Sequence, residues 1–225
     1  MNDTVTQIAT WLVPLVIAIV FHEVAHGLVA RRLGDPTAAR MGRLTLNPVK
    51  HVDPVGTVIL PMVLALAKAP IFGWAKPVPV DYRQLRNPRR DMVIVALAGP
   101  GMNFLLALVA SLGLLFINQS GAQPEGAALF VAQNLFNFLL INIFLAVFNL
   151  IPLPPFDGGH VVEGFLPRSA IPAWRTIGKY AIVVLFALLL IVPMLFPAAN
   201  IVEKVVSPIV MRIADLFLLL AGIRA

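Results

Sequence analysis

The 225-residue chain contains no cysteine, and only 12% of its residues are charged. Without cysteine the protein forms no disulfide bond, and none of its metal sites can use a thiolate ligand. A soluble domain of this size would carry about twice that charged fraction. No polar stretch is long enough to form a separate soluble domain, so we predict a single domain comprising residues 1–225.

Hydrophobic residues make up 59% of the chain and form several runs that are long enough to cross a bilayer. We therefore predict an all-α polytopic membrane protein with about five to six transmembrane helices. The last apolar run, residues 201–223, contains Arg212 and Asp215 and forms either a further span or an interfacial helix. The other predicted spans are residues 8–33, 92–117, 129–151 and 177–196.

The formal net charge is +6, but the basic residues lie in loops that flank the apolar runs. This pattern is typical of topology signals and of contact with anionic lipid, so we expect a lipid bilayer and no nucleic acid as a partner. Residues 31–53 and 76–90 are both basic, although an apolar stretch separates them. If that stretch spans the bilayer, the two loops lie on opposite sides, against the positive-inside rule. We favour a re-entrant stretch, which makes both loops cytoplasmic.

The re-entrant interpretation concerns residues 54–81. Its apolar part, residues 54–72, is interrupted by Pro61 and Lys68, and the sequence GWAKPVPVDY follows. The prolines of that sequence exclude a helix, so residues 71–81 are predicted to be extended. They form either an exposed edge strand or a proline-stiffened connector.

The first predicted span contains His22, Glu23 and His26, which form the motif HExxH. On a helix this spacing puts both imidazoles on one face, where they can bind the same Zn²⁺. The glutamate between them can then serve as a general base toward water. The alternative is a pair of histidines that hydrogen-bond a neighbouring helix. An ionisable group at the bilayer centre costs about 2.5–3.5 kcal/mol, so the presence of Glu23 favours a functional site.

Two imidazoles leave such a site incomplete, because a catalytic zinc takes three protein ligands and keeps one position open. Asp157 is the strongest candidate for the third ligand. It lies in the proline- and glycine-rich sequence NLIPLPPFDGG, which we expect to be unwound. An unwound backbone can direct a carboxylate into the helix bundle. From the local sequence alone, Asp157 can also be a helix N-cap or a turn residue.

HEVAH in the first span, combined with NLIPLPPFDG (residues 149–158) at the end of a later one, resembles the site-2 protease family of intramembrane zinc metalloproteases. The resemblance covers most of the chain and includes the sequence GPGMN at residues 99–103. The segments NPVKHVDPVG and GWAKPVPV are similar to those of the compact branch, which has no inserted PDZ domain.

The resemblance implies a role for each of five residues. His22, His26 and Asp157 would be the ligands of one zinc ion per chain. Glu23 would be the general base, and Asn149 would make a polar contact to the substrate or the transition state. No other cofactor is implied.

The function implied by the resemblance is that of a zinc-dependent intramembrane endopeptidase. Its substrates would be transmembrane proteins, cut within or near their membrane segments in regulated intramembrane proteolysis. We expect a multi-pass protein of a prokaryotic plasma membrane, with its active site toward the cytoplasm. The alternatives are a non-proteolytic zinc-binding membrane chaperone or inactive homologue, which would not need Glu23, and a metal transporter, which would use more carboxylates in its central spans.

Other polar residues have less specific interpretations. His51 and Asp53 are predicted to be structural, and His160 is predicted to be a solvated loop residue rather than a donor to Asp157. Asn103 is predicted to hydrogen-bond across the bundle, beside glycines that allow close helix packing. The basic residues at helix ends are interpreted as topology anchors: Arg31, Arg32, Arg89 and Arg90.

Overall fold

The computed structural model of the protein, described for residues 3–66, 73–119, 124–196 and 202–223, is helical. Within these ranges it contains no β-strand, so the predicted all-α class is confirmed for them. The α-helices are α1 (Asp3–Arg32), α2 (Thr37–Arg40), α3 (Leu60–Leu66), α4 (Pro88–Asn118), α5 (Gly126–Asn149), α6 (Asp157–Phe165), α7 (Ile171–Phe186), α8 (Val192–Leu195) and α9 (Ser207–Leu220). Shorter 3₁₀ and π-helical turns occupy Pro48–His51, Pro54–Ile59, Tyr82–Gln84, Ala187–Ile191 and Val202–Val206.

Helices α1, α4 and α5 form the centre of the bundle and pack against one another. Each is long and apolar enough to cross a membrane, α1 through its part Ala9–Arg32. These three helices coincide, within a few residues, with three of the predicted spans. Pro14 and Pro100 lie inside α1 and α4 without ending them.

The surfaces of α4 show which environment the bundle suits. Its inner face carries the fully buried Ala107 and Ala110, whose small side chains allow neighbouring helices to approach closely. Its outer face carries Leu105, Val109 and Leu112, each more than half exposed. An apolar surface of this extent is stable in lipid and not in water, so the chain is a membrane protein.

The remaining predicted span and the last apolar run are also helical, and each contains a π-helical turn. Residues 177–196 fall on α7, the π-helical turn Ala187–Ile191 and α8, which follow one another without a break. In the last apolar run, α9 follows a π-helical turn and packs against α4 and α5.

Residues 73–81 are not helical, as predicted, and they belong to no sheet within the described chain; Asp81, at their end, has an extended backbone. Pro77 and Pro79 have no N–H to donate to a ladder. Several of the remaining N–H groups bond to the chain elsewhere: that of Trp74 to the Gly56 carbonyl and that of Lys76 to the His51 carbonyl. The described part of the segment is thus a connector tied to the protein; residues 71 and 72 of the predicted edge lie outside the described residues.

Candidate metal centre

Helix α1 brings the two motif histidines together in the interior of the bundle. The spacing of four residues puts both imidazoles on the face that packs against α4. His22 and His26 are 7% and 9% exposed, and their Nε2 atoms lie 3.0 Å apart. The pair is therefore buried, as the hydrophobic span around it requires.

The opposite ring nitrogens of these histidines fix their protonation. The Nδ1 of His26 lies 2.7 Å from the carbonyl oxygen of Val95, which can only accept, so this nitrogen carries the hydrogen. The Nδ1 of His22 donates in the same way to the side-chain oxygen of Asn103, at 2.6 Å. In a neutral imidazole the other nitrogen then has a free lone pair. Both Nε2 atoms are thus lone-pair donors that face each other.

Asp157, at the start of α6, adds a carboxylate to the two histidines of α1. The chain leaves α5 after Asn149, follows an irregular path through the prolines and enters α6 at Asp157. The Oδ2 atom of Asp157 lies 3.3 Å from Nε2 of His22 and 3.4 Å from Nε2 of His26. It is buried and has no hydrogen-bond partner.

The glycines after Asp157 do not unwind the chain as predicted; they lie in the first turn of α6. A Cβ on Gly158 would come within 2.4 Å of the carbonyl oxygens of Leu150 and Ile151. A Cβ on Gly159 would meet the backbone of Leu153 at 2.8 Å. Only glycine lets α6 begin this close to the preceding loop. The unwound part is therefore limited to residues 150–156, and Asp157 is the first residue of α6, with Phe156 at the N-cap.

The three facing atoms fit a zinc ion. They lie within 4.8 Å of one another. Each has a lone pair, and no hydrogen lies between them, because both imidazoles carry theirs on Nδ1. For a tetrahedral Zn²⁺ with bonds of about 2.0–2.1 Å, neighbouring ligand atoms are about 3.3 Å apart. The observed separations of 3.0, 3.3 and 3.4 Å match this value. Two imidazoles, one carboxylate and no thiolate form a ligand set typical of catalytic zinc.

Gly99 on α4 provides space beside this cluster. A Cβ at this position would lie 2.4 Å from Nε2 of His26 and 2.6 Å from Nε2 of His22. Any larger residue would intrude on the ligand atoms themselves. The prediction that the glycines of this sequence allow close packing is thus confirmed for Gly99, which packs against the two candidate ligands, but not for Gly101, where a Cβ would have no neighbour within 4 Å.

Glu23 lines the same cavity as the cluster, and the segment 73–81 holds its side chain. Its Oε2 atom accepts a hydrogen bond of 2.6 Å from the backbone N–H of Val78. Arg43 fixes the same segment by donating to the carbonyls of Lys76 and Pro77. The segment can cross α1 this closely because Gly27 has no side chain; a Cβ there would lie 2.7 Å from Val78.

A cavity of about 750 Å³ joins the cluster to the protein surface. Its inner end is lined by the two histidines, Glu23 and Asp157, and it also includes exposed residues such as Arg83 and Arg175. Asn149 lines this cavity too, but its amide donates to the carbonyl of Leu145 in its own helix, at 2.9 Å. Its predicted contact with a substrate or transition state stays a prediction.

Arg89, interpreted above as a topology anchor, has a second role in the structure. Its guanidinium donates to the carbonyls of Gly164 and Leu166, at the C-terminal end of α6. At the other end of this helix, the Trp174 indole donates to the Gly159 carbonyl at 3.2 Å. These bonds fix α6, and with it Asp157, against α4 and α7.

Three acidic or imidazole side chains singled out in the sequence stand outside the cluster. The Nε2 of His51 donates to the Thr45 carbonyl, and Asp53 accepts from two backbone N–H groups at the start of a helical turn. Both are structural, as predicted. His160 is exposed on the cavity wall, as predicted, but it lies within helix α6 and not in a loop.

Comparison with known proteins agrees with this geometry. Residues 10–132 and 122–192 match the model of peptidase family M50. The "Putative zinc metalloprotease YwhC" of Bacillus subtilis (strain 168) is 35% identical over 194 residues, which cover 84% of this chain and 85% of that protein. The "Putative zinc metalloprotease Rip2" of Mycobacterium tuberculosis (strain ATCC 25618 / H37Rv) is 34% identical over 189 residues, or 83% of this chain and 67% of that protein.

A third relative comes from an archaeon. The "Putative zinc metalloprotease MJ0611" of Methanocaldococcus jannaschii is 33% identical over 144 residues, which cover 64% of each chain. No solved structure matches the chain significantly. The family match includes both motifs, and the first two relatives each align over most of the sequence. The chain is therefore a member of peptidase family M50, the site-2 protease family of zinc metalloproteases, as its two motifs predicted.

Proposed function

We propose that this protein is an intramembrane endopeptidase that uses one zinc ion per chain to cut peptide bonds within or near the transmembrane segments of other membrane proteins. Its role would be regulated intramembrane proteolysis. One observation carries the proposal: three buried atoms with lone pairs converge beside Glu23. Two of them belong, like Glu23, to a helix of membrane-spanning length. Three such atoms repel one another unless a cation lies between them, and the adjacent carboxylate supplies the base that hydrolysis needs.

Each residue then has a defined task. A zinc ion held by His22, His26 and Asp157 would act as a Lewis acid and lower the pKa of water. Glu23 accepts the proton of the attacking water and passes it to the leaving amine. The hydrogen bond from Val78 keeps one oxygen of this carboxylate in a fixed position. Asn149, on the wall of the same cavity, is proposed to donate to the substrate carbonyl.

The proposed topology puts the active site toward the cytoplasm. The two basic loops are joined by hydrogen bonds at the same end of α1, since the N–H of Arg86 donates to the Leu33 carbonyl at 3.1 Å. The N–H of Asp81 likewise donates to the Asp35 carboxylate at 2.7 Å. These contacts support a re-entrant path for residues 54–72, of which 67–72 lie outside the described residues. By the positive-inside rule this end is cytoplasmic in a prokaryotic plasma membrane.

Two further spans complete the proposed bundle. The continuous helical residues from Ile171 to Leu195 extend about 37 Å at 1.5 Å per residue, which is enough to cross the hydrocarbon core. The helical residues from Val202 to Leu220 extend about 28 Å on the same basis. With α1, α4 and α5, they give the five spans at the lower end of the predicted range.

The direct test is cleavage in a bilayer. Purified protein is reconstituted into liposomes with a reporter that carries one transmembrane helix, and the products are mapped by mass spectrometry. We expect cleavage within or at the border of the transmembrane segment, loss of cleavage with a zinc chelator and recovery when zinc is restored. Cleavage confined to the soluble part of the reporter would contradict the intramembrane proposal. Zinc binding without any cleavage would favour a zinc-binding chaperone.

Adding one methyl group at Gly99 is expected to weaken zinc binding. The Gly99→Ala methyl would lie 2.4–2.6 Å from the ligand nitrogens, so the helices must separate or the imidazoles must turn. Overpacking of this kind costs about 1–3 kcal/mol, which corresponds to about 5- to 150-fold in zinc affinity. Gly101→Ala is the matched control, because a Cβ at Gly101 has no neighbour within 4 Å. Equal zinc affinities in the two variants, measured by chelator competition, would refute the assigned role of Gly99.

Cysteine labelling tests the re-entrant path, since the chain has no native cysteine. Single cysteines replace Arg40 and Arg86, both of which are exposed. We expect a membrane-impermeant maleimide to label both from the cytoplasmic side of oriented vesicles. Labelling of the two positions from opposite sides would exclude the re-entrant path.

A further inference from the structure

The two zinc-ligand candidates on α1 differ in the group that accepts a hydrogen bond from their Nδ1 atoms. His26 donates to a backbone carbonyl of α4, which no substitution at Val95 removes. His22 donates to the side chain of Asn103, which a single substitution does remove. The orientation of His22 therefore depends on the identity of one residue.

Asn103 is itself held in one orientation by other buried groups. Its Nδ2 donates to Oδ1 of Asn142 at 2.8 Å and to the Ala18 carbonyl at 3.4 Å. The Nδ2 of Asn142 in turn donates to the Phe138 carbonyl at 2.8 Å. Every bond in this chain has a defined direction, so a flipped Asn103 amide would put its N–H groups against Nδ1–H of His22. Both asparagines are 0% exposed, and no solvent can replace a lost bond.

The chain of hydrogen bonds also joins the helices that build the centre. His22 lies on α1, Asn103 on α4 and Asn142 on α5, and the C-terminal end of α5 leads into the loop that precedes Asp157. Two fully buried amides in apolar helices are costly unless each of their bonds is made. Their cost is offset here because all the partners are present.

We propose that Asn103 is a positioning residue for metal binding, which acts by fixing the tautomer and the ring plane of His22, and that Asn142 fixes Asn103. This inference rests on the metal site proposed above. A partner that accepts from the far nitrogen of a ligating histidine raises the basicity of the ligand, and its loss weakens metal binding by about 10- to 100-fold.

The test is the zinc dissociation constant of purified protein in detergent, measured by competition with a chromogenic chelator. Asn103→Leu, of similar size but without the acceptor, is expected to weaken zinc binding by about 10- to 100-fold. Asn103→Asp keeps an acceptor oxygen toward His22 and is expected to retain most of the zinc affinity. Its second oxygen replaces the Nδ2 donor and faces the Asn142 and Ala18 oxygens, so this variant should lose thermal stability. Asn142→Leu, which only frees the Asn103 amide to rotate, should show a smaller loss.

Asn137→Leu is the matched control. Asn137 lies on α5 and, like Asn142, hydrogen-bonds toward the α1 side of the bundle: its Nδ2 donates to the Thr10 carbonyl at 2.8 Å. It does not contact the metal cluster, so its loss should lower thermal stability without changing zinc affinity. If Asn103→Leu fails to fold, the zinc affinities of Asn103→Asp and Asn142→Leu are compared with that of the wild type. Weaker binding in Asn142→Leu than in Asn103→Asp supports the positioning role, and equal affinities in all three proteins overturn it.

Each remaining outcome has a definite meaning. Unchanged zinc affinity in Asn103→Leu, or an equal loss in Asn137→Leu, would overturn the positioning role while leaving the proposed protease intact. Wild-type protein that binds no zinc would overturn the metal site together with this inference.

Discussion

Replacing Glu23 with glutamine is expected to abolish cleavage and leave zinc in place. The substitution keeps the size of the side chain but removes the base that takes a proton from water and returns it to the leaving amine. General acid–base catalysis contributes about 10²- to 10⁴-fold, so the rate of Glu23→Gln should fall by at least this factor. Zinc content should be unchanged, because Glu23 bonds to Val78 and is not one of the three clustered ligand candidates.

The matched control for this experiment is Glu125→Gln. Glu125 precedes α5 and caps no helix N–H with its side chain, so this variant should cleave at the wild-type rate. The two variants are assayed side by side in liposomes, with zinc measured by mass spectrometry. Wild-type cleavage by Glu23→Gln would refute the assignment of the general base. Loss of zinc along with activity would instead indicate that Glu23 holds the metal.

Replacing Asp157 with asparagine is expected to remove most of the bound zinc. The substitution preserves the shape of the side chain but removes the only negative charge among the three candidate ligands. Loss of groups that merely support a ligand costs about 10- to 100-fold in metal affinity, so we expect loss of a ligand to exceed 100-fold. Cleavage should fall in parallel at low zinc and recover in part at high zinc.

Asp215→Asn provides the comparison for Asp157→Asn. It removes a carboxylate from α9, which contributes no group to the cluster, and should bind zinc as the wild type does. Both dissociation constants are measured in detergent by chelator competition. If the zinc occupancy of Asp157→Asn equals that of the wild type at a free zinc concentration near the wild-type dissociation constant, Asp157 is excluded as the third ligand.

Much of the fold could be predicted because hydrophobic length is a strong signal in a membrane protein. Uninterrupted apolar runs predicted α1, α4 and α5 within a few residues, since a span must satisfy its own backbone hydrogen bonds. The non-helical path of residues 73–81 followed from the spacing of its prolines. Its lack of a partner strand did not, because N–H groups such as that of Val78 bond to side chains that are distant in sequence.

The metal centre was also only partly predictable from the sequence. HExxH predicted the convergence of His22 and His26 because helical geometry alone determines it. The approach of Asp157 depends on the packing of α6 against the loop, through Gly158 and Gly159, and no local pattern specifies that distance. Here the resemblance to a known family supplied the ligand.

The groups behind the ligands were harder to predict. Asn103 was expected to bond across the bundle, but nothing in the sequence indicated that its partner is a zinc-ligand candidate. Asn142 has one signal in the sequence, an amide within an apolar run, and the amide alone does not identify its partner. Nothing in the sequence indicates the role of the Val95 carbonyl, because every residue has a backbone carbonyl.

The most direct test of the metal centre is zinc K-edge X-ray absorption on the wild-type protein loaded with one equivalent of zinc. We predict nitrogen and oxygen ligands at about 2.0–2.1 Å, with the multiple-scattering pattern of two imidazoles. His22→Ala and His26→Ala should each remove one imidazole from that pattern. A protein that cleaves its substrate with no bound zinc, or whose zinc spectrum lacks both imidazoles, would contradict the assignment of this cluster as the catalytic site.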